Sequence, residues 1–493
     1  MSIETLLLLA IAAPLAHGVL LAVLNRPPGL RDVVHVGGAI ALATICAMLM
    51  AEVGAGYRGR IVVAEPLPDL ELAFAADPLG VAFATVAAGL GALCALYTAG
   101  WMRLTKDKAP ARFMAFSALA LAATVGVALA ANLFTFFVFY EVLAIATFPL
   151  LAHGGDRARG RAGAYYLVLM LALAMGALLP AIVWTGVVAG TLEFAPGGIL
   201  AGHVSVIGAN VLLALFVLGI GMAALFPAHR WLTLASGAAA PAAALVFAVT
   251  AASVGGFGVL RIAAYVFGPV LREASVAANA VLALATITLL GASLAAFGRR
   301  NMAQRLSYLC VAQLCAVTIG AMLGPVGEGL AAGWFAAALQ LVAYGAATAT
   351  LCFALGAIEA ASGGVEVDDL AGLGRRMPWV FAALTLGALS FAGAPPLAGA
   401  WPRLWLTIAA ADHGALWAGL AVAAGALMAF AALTAPVTRA LFAIAPADRP
   451  ATPDRAPLLL IVPTIGAGAL TLMLLVWLNP IARYLAELRG GAP

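Results

Sequence analysis

Charge is what this chain has least of: 9% of its 493 residues are Asp, Glu, Lys or Arg, against 65% hydrophobic ones. That balance excludes an ordinary soluble domain. Lysine is nearly missing, and the two present, Lys106 and Lys108, stand two positions apart. The formal charge of +4 is too small to recruit nucleic acid, and no such partner is expected. Cys46, Cys94, Cys310, Cys315 and Cys352 lie in apolar runs without a CxxC pair. They read as small packing residues, with no disulfide framework, iron–sulfur pattern or metal site. "GIGMAA" lies inside an apolar run that no strand precedes, so it is not a nucleotide loop and no cofactor is expected.

What the chain has instead is apolar length. A membrane-crossing helix needs about 20 apolar residues, and such windows recur at 2–24, 33–52, 79–102, 113–131, 133–152, 162–188, 207–227, 239–264, 275–297, 306–323, 331–357, 379–411, 414–442 and 457–481. The first carries Glu4 and no basic leader, so it reads as a span rather than a signal peptide. The fold class is therefore an all-α integral membrane protein of about fourteen transmembrane helices, with the lipid bilayer as surroundings. The loops after odd-numbered spans hold 18 of the 25 Lys and Arg residues, from Arg26 and Arg31 to Arg449 and Arg455. Cytoplasmic loops keep positive charge, so both termini are expected outside and the loops 103–112, 155–161 and 298–305 inside. Arg261 falls near the end of the eighth span, Arg489 falls on the outer side, and "IVVAEPLPDLELAFAADPLG" alternates enough for a small external hairpin.

Ionisable groups deep in a span are functional candidates. Glu141 stands near the middle of the fifth span. Desolvation disfavours the charged form of a carboxyl, so it can carry a proton; the alternative is a protonated glutamate bonded to a neighbouring helix. Arg403, in the twelfth span, keeps its charge and either biases a proton path or anchors structure. Two spans look broken, the seventh at Pro227 and the twelfth at Pro395, Pro396, Gly399 and Pro402. Proline and glycine leave carbonyls for water or polar side chains to satisfy, as around intramembrane ion paths. Their separation by five spans fits two repeats, spans 4–8 and 9–13. The corresponding segments are 1–112, 113–267, 268–442 and 443–493.

The stretches "FFVFYEVLAIATFPLLAH", "RAGAYYLVL", "LFPAHRWLTLASGAAAP", "AASVGGFGVLRI" and "GLGRRMPWVFAALTLGALSFAGAPPLAGAWPRLW" together resemble one family. It is that of the antiporter-like membrane subunits of respiratory complex I, Mrp-type sodium/proton antiporters and membrane-bound hydrogenases, and the resemblance runs from about residue 75 to 440. It implies two inverted five-helix repeats with broken helices 7 and 12, a prokaryotic inner-membrane location, and other membrane subunits as partners, with a peripheral redox arm in some complexes. It also implies a proton path through a glutamate in helix 5, lysines in helices 7 and 8, and a lysine or glutamate in helix 12. Glu141 matches the first position, Met222 and Ser253 occupy the lysine positions, and Arg403 occupies the last. Tyr344 and Thr348 stand where helix 11 often carries His and Lys, and His229 retains the imidazole after the broken helix. The reference pKa of imidazole, about 6.5, suits proton uptake; polar capping at the membrane surface is the other reading of His229 and of His153.

A relay needs groups whose protonation swings with a neighbour's charge. Lysine supplies that and methionine does not. The expected function is thus a membrane subunit of an energy-coupling complex that moves protons or cations by a modified path. The alternatives are a non-conducting scaffold of the same fold and a membrane partner of an inorganic-carbon uptake protein.

Overall fold

The computed structural model describes residues 1–24, 28–68, 70–324, 333–443 and 457–485. Helices follow the apolar runs: α1 (Ile3–Val23), α2 (Pro28–Gly54), α3 (Pro78–Leu104), α4 (Pro110–Ala128), α5 (Leu133–Leu151) and α6 (Arg157–Ala189). They continue with α7 (Val206–Gly219), α8 (Ala240–Arg272), α9 (Ser275–Phe297), α10 (Met302–Leu323) and α11 (Gly333–Ser362). The last four are α12 (Pro378–Ala392), α13 (Ala400–Asp412), α14 (Leu416–Phe442) and α15 (Leu458–Tyr484). Among the described residues, twelve of these are long and apolar enough to cross a membrane, so the chain is a multi-pass membrane protein. The exceptions are α7, α12 and α13, the pieces of the two spans expected to be broken.

Polar residues stand where the first turn of a helix leaves its N–H groups without partners. Asp77 accepts from Gly80 N at 3.0 Å, Asn132 from Thr135 N at 2.8 Å, and Asn301 from Ala303 N and Gln304 N at 2.9 and 3.1 Å. The centre of the bundle is set by burial. An 18-residue stretch of α11 is wholly buried and those of α8 and α10 are 94% buried, against 28% in α2. The first helices and the last therefore present their apolar side chains outward, as lipid-facing helices do.

The expected hairpin is present, with β1 (Arg60–Leu67) antiparallel to β2 (Leu70–Ala75). Arg60 joins Glu71 and, at 3.0 Å, Glu193, and Asn132 Nδ2 donates to Glu71 O at 2.9 Å, pinning the hairpin to the start of α5.

Several boundaries differ from the sequence reading. The second span starts at Pro28 rather than at 33, which places Arg31 and Asp32 inside α2, buried. Asp32 takes bonds from Arg31 at 3.3 Å and Arg103 at 2.5 Å, and this pairing is what lets charge enter the helix. Likewise α8 runs on to Arg272, so Arg261 is not near its end. Its guanidinium lies 2.6 Å from Asp77 Oδ1, donates to Ala130 O at 3.2 Å and stacks over Phe194 and Tyr265. Arg26, Arg449, Arg455 and Arg489 of the charge pattern lie outside the described residues.

Candidate functional site

The first break begins where α7 ends at Gly219. A short 3₁₀ turn follows at Gly221–Ala223, then Ala224 at φ +56°, and the chain becomes helical again only at Arg230–Leu234. Backbone groups freed there meet side-chain partners, as an apolar surrounding favours. Met222 N donates to the Tyr140 hydroxyl at 3.1 Å, and Trp231 Nε1 donates to Gly221 O at 3.2 Å. Gly255 of α8 lies so close to the Met222–Ala223 backbone that no Cβ fits between them. Replacing Trp231 by phenylalanine removes the indole donor, so the buried Gly221 carbonyl keeps only the Ala224 N–H at 3.1 Å. The expected cost is about 1–2 kcal/mol, read as a lower melting temperature of the purified chain in detergent; an unchanged melting temperature would show that this bond does not hold the break.

Ahead of the part of α8 that packs on the break lies a π-helical turn at Leu245–Val249. The wider turn shifts the hydrogen-bond register and leaves carbonyls for side chains, an arrangement common at functional sites. Phe247 O accepts from the Tyr344 hydroxyl of α11 at 2.7 Å, and Ala248 O accepts from Ser253 Oγ at 2.9 Å. Four residues apart on α11 stand Gln340, Tyr344 and Thr348, which therefore share one face. Gln340 Nε2 donates to Gln313 Oε1 of α10 at 2.7 Å, and Gln313 Nε2 donates to Phe391 O at 3.0 Å.

Phe391 belongs to the second break. There α12 ends at Ala392, Gly393 turns the chain at φ +76°, and α13 begins at Ala400. The Arg403 guanidinium donates to the carbonyls of Ala392 and Phe391. A cation on the terminal carbonyls of a helix satisfies them and opposes the negative end of the helix dipole. Between the two breaks thus stand Ser253 and Tyr344 on the π-turn carbonyls of α8 and two glutamines that reach the Phe391 carbonyl under Arg403.

Glu141 lies on α5 beside Tyr140, with the side chain half-buried but both carboxyl oxygens enclosed and without a hydrogen-bond partner. Thr348 Oγ1 is likewise buried, beside Tyr344 and Cys310. His229 stands apart from this group: half-buried, it closes the loop after the first break, stacked on Phe226 with ring centroids 5.8 Å apart. His153 Nε2 lies 2.9 Å from Asp107 Oδ2. A cavity of about 150 Å³ lined by Arg159, Ser236, Asn301 and Glu359 reaches inward to Cys352 and Phe247, the residue whose carbonyl holds Tyr344. Reading the sequence for charge missed Gln313, Gln340 and Glu359. The chain has three glutamines in all, and two of them deep in spans was a signal available beforehand. It also missed His17 and His35, whose rings face each other 5.7 Å apart between α1 and α2.

The transmembrane family described as NADH:quinone oxidoreductase/Mrp antiporter matches residues 130–429. The NADH-quinone oxidoreductase subunit N of Geobacter metallireducens is 30% identical over 423 residues, 81% of this chain and 82% of the relative. A Na(+)/H(+) antiporter subunit of Alkalihalophilus pseudofirmus is 25% identical over 435 residues, 87% of this chain and 85% of that one. Among solved structures, a chain of the Mrp complex from Dietzia sp. DQ12-45-1b matches with a TM-score of 0.86 at 23% identity, over 99% of this chain and 97% of that one. A chain of respiratory complex I from Thermus thermophilus matches with a TM-score of 0.80 at 21% identity, over 98% of this chain and all of the other. At these identities the structural likeness is one of fold.

Proposed function

The chain belongs to the NADH:quinone oxidoreductase/Mrp antiporter transmembrane family, and from that premise we propose that it is a membrane subunit of a multisubunit energy-coupling complex, moving protons or cations by a modified path. The observation that carries the reading is the set of buried polar groups that lies between the two breaks. It comprises the Tyr140 hydroxyl on Met222 N, Ser253 and Tyr344 on the π-turn carbonyls, and Gln340 and Gln313 with the Phe391 carbonyl under Arg403. Polar groups in hydrocarbon are expensive and mark ion paths. Glu141 is the proton carrier at one end of this set, and the cavity at Glu359 and Arg159 supplies water from one side. Hydroxyls and amides move a proton only with water between them, so Ser253, Tyr344 and Thr348 position such a chain while Arg403 sets its electrostatic limit. His229 collects protons at the cytoplasmic side.

The broken segments Val206–Leu234 and Pro378–Asp412 complete fourteen crossings. They pair as the seventh and twelfth helices of two inverted repeats, 113–267 and 268–442, flanked by 1–112 and 443–493. The subunit sits in a prokaryotic inner membrane with both termini outside, has no cofactor of its own, and leaves redox chemistry to a partner arm. Single cysteines placed in the loops 103–112, 155–161 and 298–305 are expected to resist an impermeant thiol reagent in right-side-out vesicles and to react after permeabilisation. Reaction in sealed vesicles would reverse the topology.

A specific observation favours a second reading, the non-conducting scaffold: Arg403 is committed to capping α12, and the resemblance implies lysines where Met222 and Ser253 stand. Proton uptake by vesicles carrying the complex, compared with Glu141→Gln, separates the two readings.

A further inference from the structure

Both lysines of the chain lie in the segment between α3 and α4, on either side of Asp107. Lys108, at its end, and Arg112, in the first turn of α4, are exposed, and neither has a carboxylate partner among the described residues. Asp107 beside them is engaged instead by Ala109 N at 2.8 Å and His153 Nε2 at 2.9 Å. No side chain caps the N-terminus of α4, where Pro110 opens the helix, so its positive dipole end adds to the two cations.

Below these cations lies a groove of about 620 Å³ between α1 and α4. The helices meet closely at Gly18, where an added Cβ would stand 3.4 Å from Ala115 O. Val19 and Ala22 form one wall and Phe116 and Leu119 the other, leaving Lys108 and Arg112 at the mouth. From Arg112 to Leu119 the groove follows about two turns of α4, roughly 10 Å along the axis. It thus joins a cationic rim to an apolar slot of membrane depth.

We propose that this groove binds an anionic phospholipid, with its phosphate between Lys108 and Arg112 and one acyl chain along the α1–α4 slot. Charge complementarity selects the occupant. The rim offers two unpaired cations to a phosphodiester that carries one negative charge and stays at headgroup level, and the slot below offers no polar group that a partner helix would need to satisfy. Basic residues near a membrane surface favour anionic lipid, so the pair yields a preference of about tenfold or more over a zwitterionic lipid.

Native mass spectrometry of the full chain, released from micelles containing equal phosphatidylglycerol and phosphatidylcholine, tests the assignment. Phosphatidylglycerol is expected to be retained about tenfold over phosphatidylcholine. The preference is expected to vanish in Lys108→Gln/Arg112→Gln, which alters only exposed side chains. Ala22→Trp, which fills the slot from an exposed position and keeps both charges, is expected to lower retention of both lipids. Equal retention by the unaltered chain, or a preference that survives the double substitution, would overturn the proposal. So would millimolar inorganic phosphate displacing the lipid, which would leave an anion site without an acyl slot. Loss of the lipid when the neighbouring subunits are bound would also overturn it, by making the groove a subunit interface.

Discussion

Glu141→Gln in the assembled complex is expected to lower proton translocation about tenfold or more, since it converts a group that releases a proton into one that does not. Assembly and stability are expected to hold. The carboxyl makes no hydrogen bond or ion pair, and both of its oxygens are enclosed, so an amide of the same shape breaks no contact. Tyr140, the neighbour that does bind the first break through Met222 N, stays in place. Inverted vesicles with a pH-sensitive dye, compared at equal subunit content, give the measurement. Glu141→Asp, which keeps the acid on a shorter stem, is expected to recover part of the flux. Full activity in Glu141→Gln would place the chain with the scaffold reading, since among the described residues no other carboxyl lies beside the polar groups at the break.

The fold was legible because hydrophobic length and charge asymmetry are one-dimensional signals. Pro227 and the cluster from Pro395 to Pro402 announced where helices stop, and α7 and α12 do end before them. What plugs the breaks was not legible. Tyr140 reaches a residue 82 positions away, and Gly255 is required by the backbone of Met222, and neither relation leaves a local pattern. The carbonyls that hold Tyr344 and Ser253 come from a π-turn in "LVFAV", a stretch that reads as ordinary apolar helix. Gln313 and Gln340 escaped because neutral amides do not register in a search for charge, although each commits its amide to a buried acceptor. Arg31 and Asp32 escaped for the opposite reason. Their charges suggested a loop, and only their pairing with each other and of Asp32 with Arg103 makes them tolerable inside α2.

The purified chain by itself is expected to exchange no protons for sodium or potassium. Transport across the bilayer needs titratable stations on both sides of the midplane; Glu141 is the carboxyl next to Tyr140 at the first break, and Glu359 stands only at the cavity that reaches Phe247 near the end of α11. Met222 is fully buried and apolar, so the site beside the first break holds no charge to trade with Glu141. Ser253 gives its hydroxyl to Ala248 O and Tyr344 to Phe247 O. Arg403 is held by two carbonyls and keeps its proton at any physiological pH. Apolar walls also keep narrow cavities dry, so a water chain past Met222 needs a neighbouring subunit to supply charge or widen the route. Reconstituted into proteoliposomes with an internal pH dye, the chain is expected to match empty liposomes under sodium and potassium gradients alike. Robust cation-dependent flux that disappears in Glu141→Gln would show that hydroxyls, amides and one carboxyl suffice without lysine, and the dependence on partner subunits would fall with it.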